Sequence, residues 1–551
     1  MITPNIASHL PAMASQQPGH WAVIVQPKQR QSSPCMDEAW TYQQLDEESD
    51  RIAAGLETCG IGKGTRTVLM VKPGLDFFAL VFALFKVEAI LIAVDPGMGI
   101  KNLGKCLAEA EPEAFIGIGS AHVARLLLRW GKGTIRKNIL VGNSPVLRPL
   151  MTNLDIIRRK GQEQAFKLGN TNADDTAAIL FTSGSTGIPK GVVYTHANFT
   201  AQVEALKHLY QIQPGEVDLA TFPLFALFAP ALGMTSVIPH MDFTRPGDVN
   251  PEKIVDAVID YQCTNMFGSP ALLNRVGRHY QDMEVKLPSL RRVLSAGAPV
   301  SATILQRYKN LLHDDVEIFT PYGATESLPV SSIGSNEVLD DTVSDTDKGK
   351  GVCIGKPVDN IDVKIIRISD APIGDWDQVE VLSANEIGEI CVSGPQVTQS
   401  YYNRETQTQL AKIKTGNGFY HRMGDLGYMD EQGRLWFCGR KSHRVVTTNE
   451  TLFTDCCEGI FNTHPAVYRS ALVGVTRDGE TEPTICIELE ANYLQEDLSL
   501  IKDQLIKLGS QHAITQNIKH VMFHPGFPVD IRHNAKINRE RLAKWAQGQL
   551  A

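Results

Sequence analysis

Between Thr182 and Gly191 the chain places four hydroxyl side chains (Thr182, Ser183, Ser185, Thr186), three glycines (Gly184, Gly187, Gly191) and one cation, Lys190. Glycines let successive backbone N–H groups converge on an anion, hydroxyls donate further hydrogen bonds, and the lysine supplies a point charge. The set fits a phosphate group. A plain surface turn is the bland alternative, but turns seldom combine these residues in this order. The Walker pattern GxxxxGK[ST] is excluded, because Lys190 is followed by Gly191 and not by a hydroxyl residue.

Elements of alternating type must hold that loop. From Val68 to Asp95 the chain reads VLMV, PGLDFFALVFALFKVEA and ILIAVDP, which predicts a strand, a helix opened by Pro73 and Gly74, and a second strand. The run from Phe77 to Phe85 has no polar residue, yet Asp76, Lys86 and Glu88 bracket it and its nine residues are too few to cross a bilayer. A buried helix is expected. AAILFT before the loop, NMFGSPALLNRVGRHY and RRVLSAGAPVSATILQRYKN repeat the alternation and predict an α/β fold of mostly parallel sheets covered by helices. Polar, unpatterned stretches at 158–175 and 331–351 read as surface loops. The hairpin GDLGYMDEQGRLWFCGRK, with its turn at Glu431-Gln432-Gly433, gives way to a fresh α+β pattern. A boundary at Gly439-Arg440 divides the chain into a large domain, 1–438, and a small one, 439–551, of a size adequate for its own core.

Composition narrows the classes. With 551 residues, 43% of them hydrophobic and 21% charged, the chain is no small binding module and no disordered or fibrous protein. Lys plus Arg number 53 against 61 Asp plus Glu, a net charge of -8, so no nucleic-acid partner is expected and any phosphate must be gripped locally. The ten cysteines show no CxxC pairing and read as buried thiols of a reducing cytoplasm. MITPNIASHLPAMASQQPGH lacks the basic start and apolar run of a signal peptide, which gives a cytoplasmic protein with no transmembrane segment as the expectation.

The loop FTSGSTGIPKGV from Phe181 resembles the [ST]SG[ST]TGxPKGV signature of the adenylate-forming superfamily, which holds acyl-CoA synthetases, luciferases and nonribosomal adenylation domains. The resemblance covers nearly the whole chain. SAGAP at 295–299, YGATES at 322–327, Asp425 and Arg440 in the hairpin, and NAKINR with Lys536 follow in the order of that family. It implies a large N-terminal domain with helix-covered sheets, a small mobile C-terminal α+β domain, and ATP and Mg²⁺ as cofactors. It also implies that Thr182, Ser183, Gly184, Ser185, Thr186, Gly187 and Lys190 hold phosphates, and that Gly297, Ala298, Pro299, Tyr322, Gly323, Ala324 and Thr325 surround the adenosine. Asp425 would accept ribose hydroxyls, and Arg440 would hold ribose or phosphate oxygens. Glu326, a hard oxygen ligand, would bind the metal. Lys536 would stabilise the charge that develops as a carboxylate attacks the α-phosphate, with Thr182, Lys190 and Glu326 as its catalytic company. Taken singly, Asp425 also fits a hairpin cap and Lys536 a solvated lysine.

Departures from the acyl-CoA synthetase pattern are informative. Where those enzymes carry GRxxDxIKxxG around the pantetheine tunnel, GRKSHRVVTTNE puts His443 at the Asp, Val446 at the Lys and Asn449 at the Gly. Of the following PxEIE only Glu458 is kept, Met423 stands in MGD for TGD, and Ala226 occupies the histidine position of PLFH. The set HRMGDLG, CGRKSHRV and TLFTDCCEGIFNTHPAV resembles the olefin β-lactone synthetases. That resemblance implies adenylation of a long-chain 2-alkyl-3-hydroxy acid and attack by its own hydroxyl to close a β-lactone, with release of AMP and pyrophosphate. Implied partners are a ketoreductase, a β-lactone decarboxylase and a thiolase-like condensing enzyme. Phe222, Leu224, Phe225, Ala226, Leu227, Phe228 and Leu232 are candidate walls of an alkyl pocket, and each fits an ordinary core equally. His196, His421 and His443 are conceivable bases for ring closure, and none is assigned. The alternatives are a long-chain fatty acyl-CoA or acyl-AMP ligase and an inactive nucleotide-binding scaffold.

Overall fold

The computed structural model describes residues 4–28, 36, 38–94, 96–182, 189–222, 228–529 and 536–550. Apolar strands flanked by amphipathic helices assemble into two large sheets. One has seven strands, in the order 152–153, 137–141, 114–118, 66–70, 90–93, 176–181, 191–195. The other has nine, in the order 356–357, 327–334, 317–324, 292–294, 265–267, 217–220, 235–238, 21–25, 39–41. The Arg66–Met70 and Ile90–Ala93 strands pair in parallel around the Leu75–Lys86 helix, whose residues from Phe77 to Lys86 are all buried. Side chains facing inward from both sheets, among them Val23, Ala220, Ile116 and Val192, join that helix in one core.

Strand alternation sorts the nine-stranded sheet. Leu219, Met266, Val293 and Ile318 point to a second core, under the Pro251–Asp260, Pro270–Tyr280 and Ala302–Lys309 helices. Asp218, Asn265 and Arg292, in register on three adjacent parallel strands, stand on the opposite face. Ser269 and Ser301 cap the helices that follow two of these strands, accepting hydrogen bonds from the Leu272 and Ile304 N–H groups. The intervening loops therefore leave the sheet at the carboxyl ends of its strands, where ligands of open α/β sheets bind.

Three expectations need correction. AAILFT does begin at a strand, Thr176–Phe181, but the phosphate-type loop returns as an antiparallel strand, Gly191–Thr195, before the helix starts at His196. Thr195 and Asn198 form a capping box there, which sets the helix start beyond the hairpin. The stretch 158–175 opens inside a helix, Leu154–Gln162, whose apolar side is short. The stretch 331–351 is largely ordered: Ser327–Gly334 is a strand and 335–346 is helical. Ser331 and Ser335 are fully buried, one donating to the Ile354 carbonyl at 2.6 Å and the other accepting from the Ile318 N–H at 3.1 Å. Hydroxyls satisfied by neighbouring backbone sit inside a sheet without the apolar signature that sequence patterning reads.

A six-stranded sheet contains the Gly418–Met429 and Leu435–Arg440 hairpin, and Gly433 in its turn has φ of +75°. Beyond it the strands Val467–Arg477, Glu480–Leu489 and His520–Phe523 pair with one another. Of the nine described cysteines, eight are buried. No helix among the described residues is long and apolar enough to cross a membrane.

Candidate active site

A cavity of about 840 Å³ opens along the carboxyl edge of the nine-stranded sheet and runs inward between the two large sheets. Thr182, Lys190, Gly297, Gly323, Ala324, Thr325, Glu326, Arg440 and Lys536 all line it, so residues far apart in the chain share one cavity. Deeper in, Val81, Phe82, Phe85, Phe199, Phe228 and Met234 make it apolar. Of the candidate alkyl-pocket residues Phe222, Phe228 and Leu232 line it, while Leu224, Phe225, Ala226 and Leu227 lie outside the described residues. Ser183, Gly184, Ser185, Thr186 and Gly187 also lie outside them. The feet of their loop are tied: the Thr182 N–H donates to the Lys190 carbonyl at 3.0 Å, and the Lys190 N–H to Thr182 Oγ1 at 3.2 Å.

Glu326 sits in a network that sequence reading missed. The Tyr401 hydroxyl donates to its Oε1 at 2.6 Å, and both the N–H and the hydroxyl of Thr398 donate to its carbonyl, at 2.9 and 3.1 Å. Glu326 Oε2 accepts no hydrogen bond among the described residues. Lys190 Nζ lies 4.7 Å from the centre of the Tyr401 ring, a cation–π approach that aims the ammonium. Lys412 Nζ donates to the Thr398 carbonyl and lies 4.7 Å from the Phe419 ring. Burial pushes the Lys412 pKa down to about 7, opposed by the Glu326 charge. In QVTQSYYNRETQTQLAKIK nothing but polar residues marked Thr398, Tyr401 and Lys412, which reach Glu326 only through the fold.

Asp425 and Arg440 face each other across the hairpin register, with Asp425 Oδ1 3.0 Å from Arg440 Nη1. Tyr322 donates its hydroxyl to Asp425 Oδ2 at 2.6 Å. Asp425 is 2% exposed, and its Oδ1, though ion-paired with Arg440, receives no well-directed hydrogen bond among the described residues. Burial raises the carboxyl, and the Arg440 charge and the Tyr322 hydrogen bond pull it back. Tyr322, Ala298, Pro299 and Asp425 do not line the cavity, whose wall in this region is Pro321, Gly323 and Gly297. Gly297 is exposed with φ of +99°, a conformation that leaves its backbone open to close approach.

After Arg440 the chain stays on the cavity with Lys441 and Ser442. His443 follows, and burial together with the Arg539 and Arg440 charges pushes its pKa down to about 3, so it is neutral at pH 7. Val446 and Asn449 are exposed on a small hairpin, and the Asn449 N–H donates to Thr447 Oγ1 at 3.3 Å. Asn449 does not adopt the left-handed conformation. Glu458, the retained acidic residue, pairs with Arg539 at 2.7 Å and accepts the Leu472 N–H. Neither His196, whose Nδ1 accepts the Ile6 N–H, nor the buried His421 lines the cavity.

A family profile described as AMP-binding enzyme matches residues 10–402. The olefin beta-lactone synthetase of Xanthomonas campestris pv. campestris is 47% identical to the chain, over 99% of this chain and 98% of its own. The chain belongs to the olefin β-lactone synthetase family of AMP-binding enzymes. A long-chain-fatty-acid–CoA ligase of Salmonella typhimurium is more distant from this family member, at 27% identity over 94% of this chain and 91% of its own. The o-succinylbenzoate coenzyme A synthetase of Bacillus subtilis, solved in complex with ATP and magnesium ion, has a TM-score of 0.74 at 20% identity, covering 97% of this chain and 98% of its own. That likeness shows the shared α/β fold. As a β-lactone synthetase family member the protein is an AMP-forming ligase.

Proposed function

We propose that the protein uses ATP and Mg²⁺ to adenylate a long-chain 2-alkyl-3-hydroxy acid, whose own hydroxyl then displaces AMP to close a β-lactone. The observation that carries this reading is the composition of one cavity: anion-binding and cationic residues at its mouth, Lys190, Arg440 and Lys536, and an apolar interior suited to alkyl chains. The 47% identity to an olefin β-lactone synthetase, against 27% to a fatty-acid–CoA ligase, supports it over the thioester-forming alternative.

The residues present suit a nucleotide and a metal. Asp425 Oδ1 is the acceptor for a ribose hydroxyl, and the Gly297 backbone accommodates a base. Glu326, with Oε2 uncommitted, would hold Mg²⁺, which supplies neutralisation of phosphate charge. Tyr401 orients the other Glu326 oxygen and, through its ring, Lys190. Lys536 stabilises charge that appears only as the carboxylate attacks the α-phosphate. Ring closure then needs no second substrate, and an intramolecular nucleophile removes about 7 to 11 kcal/mol of orientational barrier when its geometry is right.

The division at Gly439-Arg440 belongs to the same proposal, with 439–551 as the smaller body that brings Lys536 to the cavity. The separate three-stranded sheet of Val467–Arg477, Glu480–Leu489 and His520–Phe523 supports it. The reading also calls for a condensing enzyme and a ketoreductase to supply the hydroxy acid, and for a decarboxylase to consume the lactone.

The test is an incubation with ATP, Mg²⁺, a racemic 2-alkyl-3-hydroxy acid and excess CoA. The expected product is one water lighter than the acid and shows lactone ring protons by NMR. Acyl-CoA as the main product would transfer the assignment to the ligase alternative and leave adenylation standing.

A further inference from the structure

Gln202, Thr221 and Ser269 also line the largely apolar interior, and one further polar pair stands there with acceptors unsatisfied. Asp218 and Asn265 lie side by side on adjacent parallel strands, and both line the cavity. Phe222, Phe228, Phe267 and Leu294 line the same interior. Asp218 is 5% and Asn265 3% exposed. Asn265 donates its amide Nδ2 to Asp218 Oδ1, and there the mutual satisfaction ends. Asn265 Oδ1 is buried without a partner, and Asp218 Oδ2 accepts no hydrogen bond among the described residues. The charge next to them is already committed: Arg292, on the next strand, gives both its terminal nitrogens to Glu216.

Two acceptors without a donor, in a largely apolar wall, call for a ligand that brings an O–H group. Under the function proposed above, on which this inference rests, the substrate carries such a group beside its alkyl chains. Asp218 stands two residues, about 7 Å, inside the end of its strand at Ala220, below the level of the Gly297 loop. A hydroxyl on the third carbon of an acid inserted chain-first enters on that side of the carboxyl group. We propose that Asp218 and Asn265 form the subsite that receives the 3-hydroxyl and so select hydroxy acids over plain fatty acids. Burial also pushes the Asp218 carboxyl up to about 7, with the Asn265 hydrogen bond and the Arg292 charge opposing, as expected for an acceptor held in a dry wall. A site built to bond a hydroxyl rejects the analogue that lacks it, because its polar groups are then left bare.

The experiment compares kcat/KM for ATP-dependent pyrophosphate release from a 2-alkyl-3-hydroxy acid and from its 3-deoxy counterpart of equal carbon number. The wild type is expected to favour the hydroxy acid by about 10²-fold, the equivalent of one strong hydrogen bond to a charged acceptor. Asp218→Val and Asn265→Leu should each bring that preference below about 5-fold, by losing rate on the hydroxy acid while the deoxy acid holds or gains. Equal losses on both acids, or an unchanged preference in the variants, would overturn the subsite. So would a wild type that does not discriminate, a measurement that needs no variant to fold. A wild type that fails to adenylate the hydroxy acid overturns the functional reading and this inference together. A lactone-forming wild type whose variants keep the preference overturns the inference alone.

Discussion

The Tyr401 hydroxyl donates to Glu326 at 2.6 Å, and the same ring lies under the Lys190 ammonium at 4.7 Å. One side chain thus positions both an anion and a cation of the site. Tyr401→Phe keeps the ring and removes the hydroxyl, and a hydrogen bond to a charged acceptor contributes about 1.5 to 3 kcal/mol. Pyrophosphate release should fall by about 10-fold, and Tyr401→Leu, which removes the ring as well, should fall further. Steady-state assays of the two variants decide it, and equal losses would separate Lys190 from this ring.

Under the role proposed for it, in which its charge acts as the phosphorus centre becomes pentacovalent, Lys536→Ala should reduce adenylation by about 10² to 10³ while ATP affinity stays nearly unchanged. Calorimetric ATP binding alongside turnover makes the comparison. Parallel losses in both would place the lysine in ground-state binding.

Glu326→Gln keeps the shape and the Tyr401 contact but removes the anionic oxygen that a hard cation prefers. The Mg²⁺ concentration for half-maximal activity should rise by about 10-fold in a metal titration. An unchanged value would move the metal site elsewhere.

Burial holds the Lys412 pKa at about 7, well below that of an unfolded lysine. Between about pH 7 and 10.5 the unfolded chain then binds a proton that the folded chain does not, so this group makes stability rise with pH, by at most about 1.4 kcal/mol per unit. Lys412→Met should therefore be more resistant to urea than the wild type at pH 7, with an advantage that shrinks toward pH 9.5. An advantage independent of pH would rule out the buried amine as its source.

Local patterns were enough to read the strand–helix–strand unit from Val68 to Asp95 and the hairpin turn at Gly433, while family resemblance grouped Thr182, Lys190, Glu326, Arg440 and Lys536, which line one cavity. In each case a short-range signal, apolar periodicity or a motif, coincides with the structural cause. Tyr401, Lys412 and Asp218 carried no such signal. Their environments are made by sheet register between strands distant in sequence, and a tyrosine, lysine or aspartate looks the same in a loop as in a buried network. The error over 331–351 has the same origin in reverse, since Ser331 and Ser335 owe their burial to backbone partners supplied from 354 and 318.

Ile6 and Lys536 line the same cavity. During synthesis the reaction chamber therefore stays unfinished until the segment bearing Lys536 has left the ribosome, however early the sheets fold. Under the role proposed for Lys536, a chain that stops short of it should bind nucleotide without activating an acid.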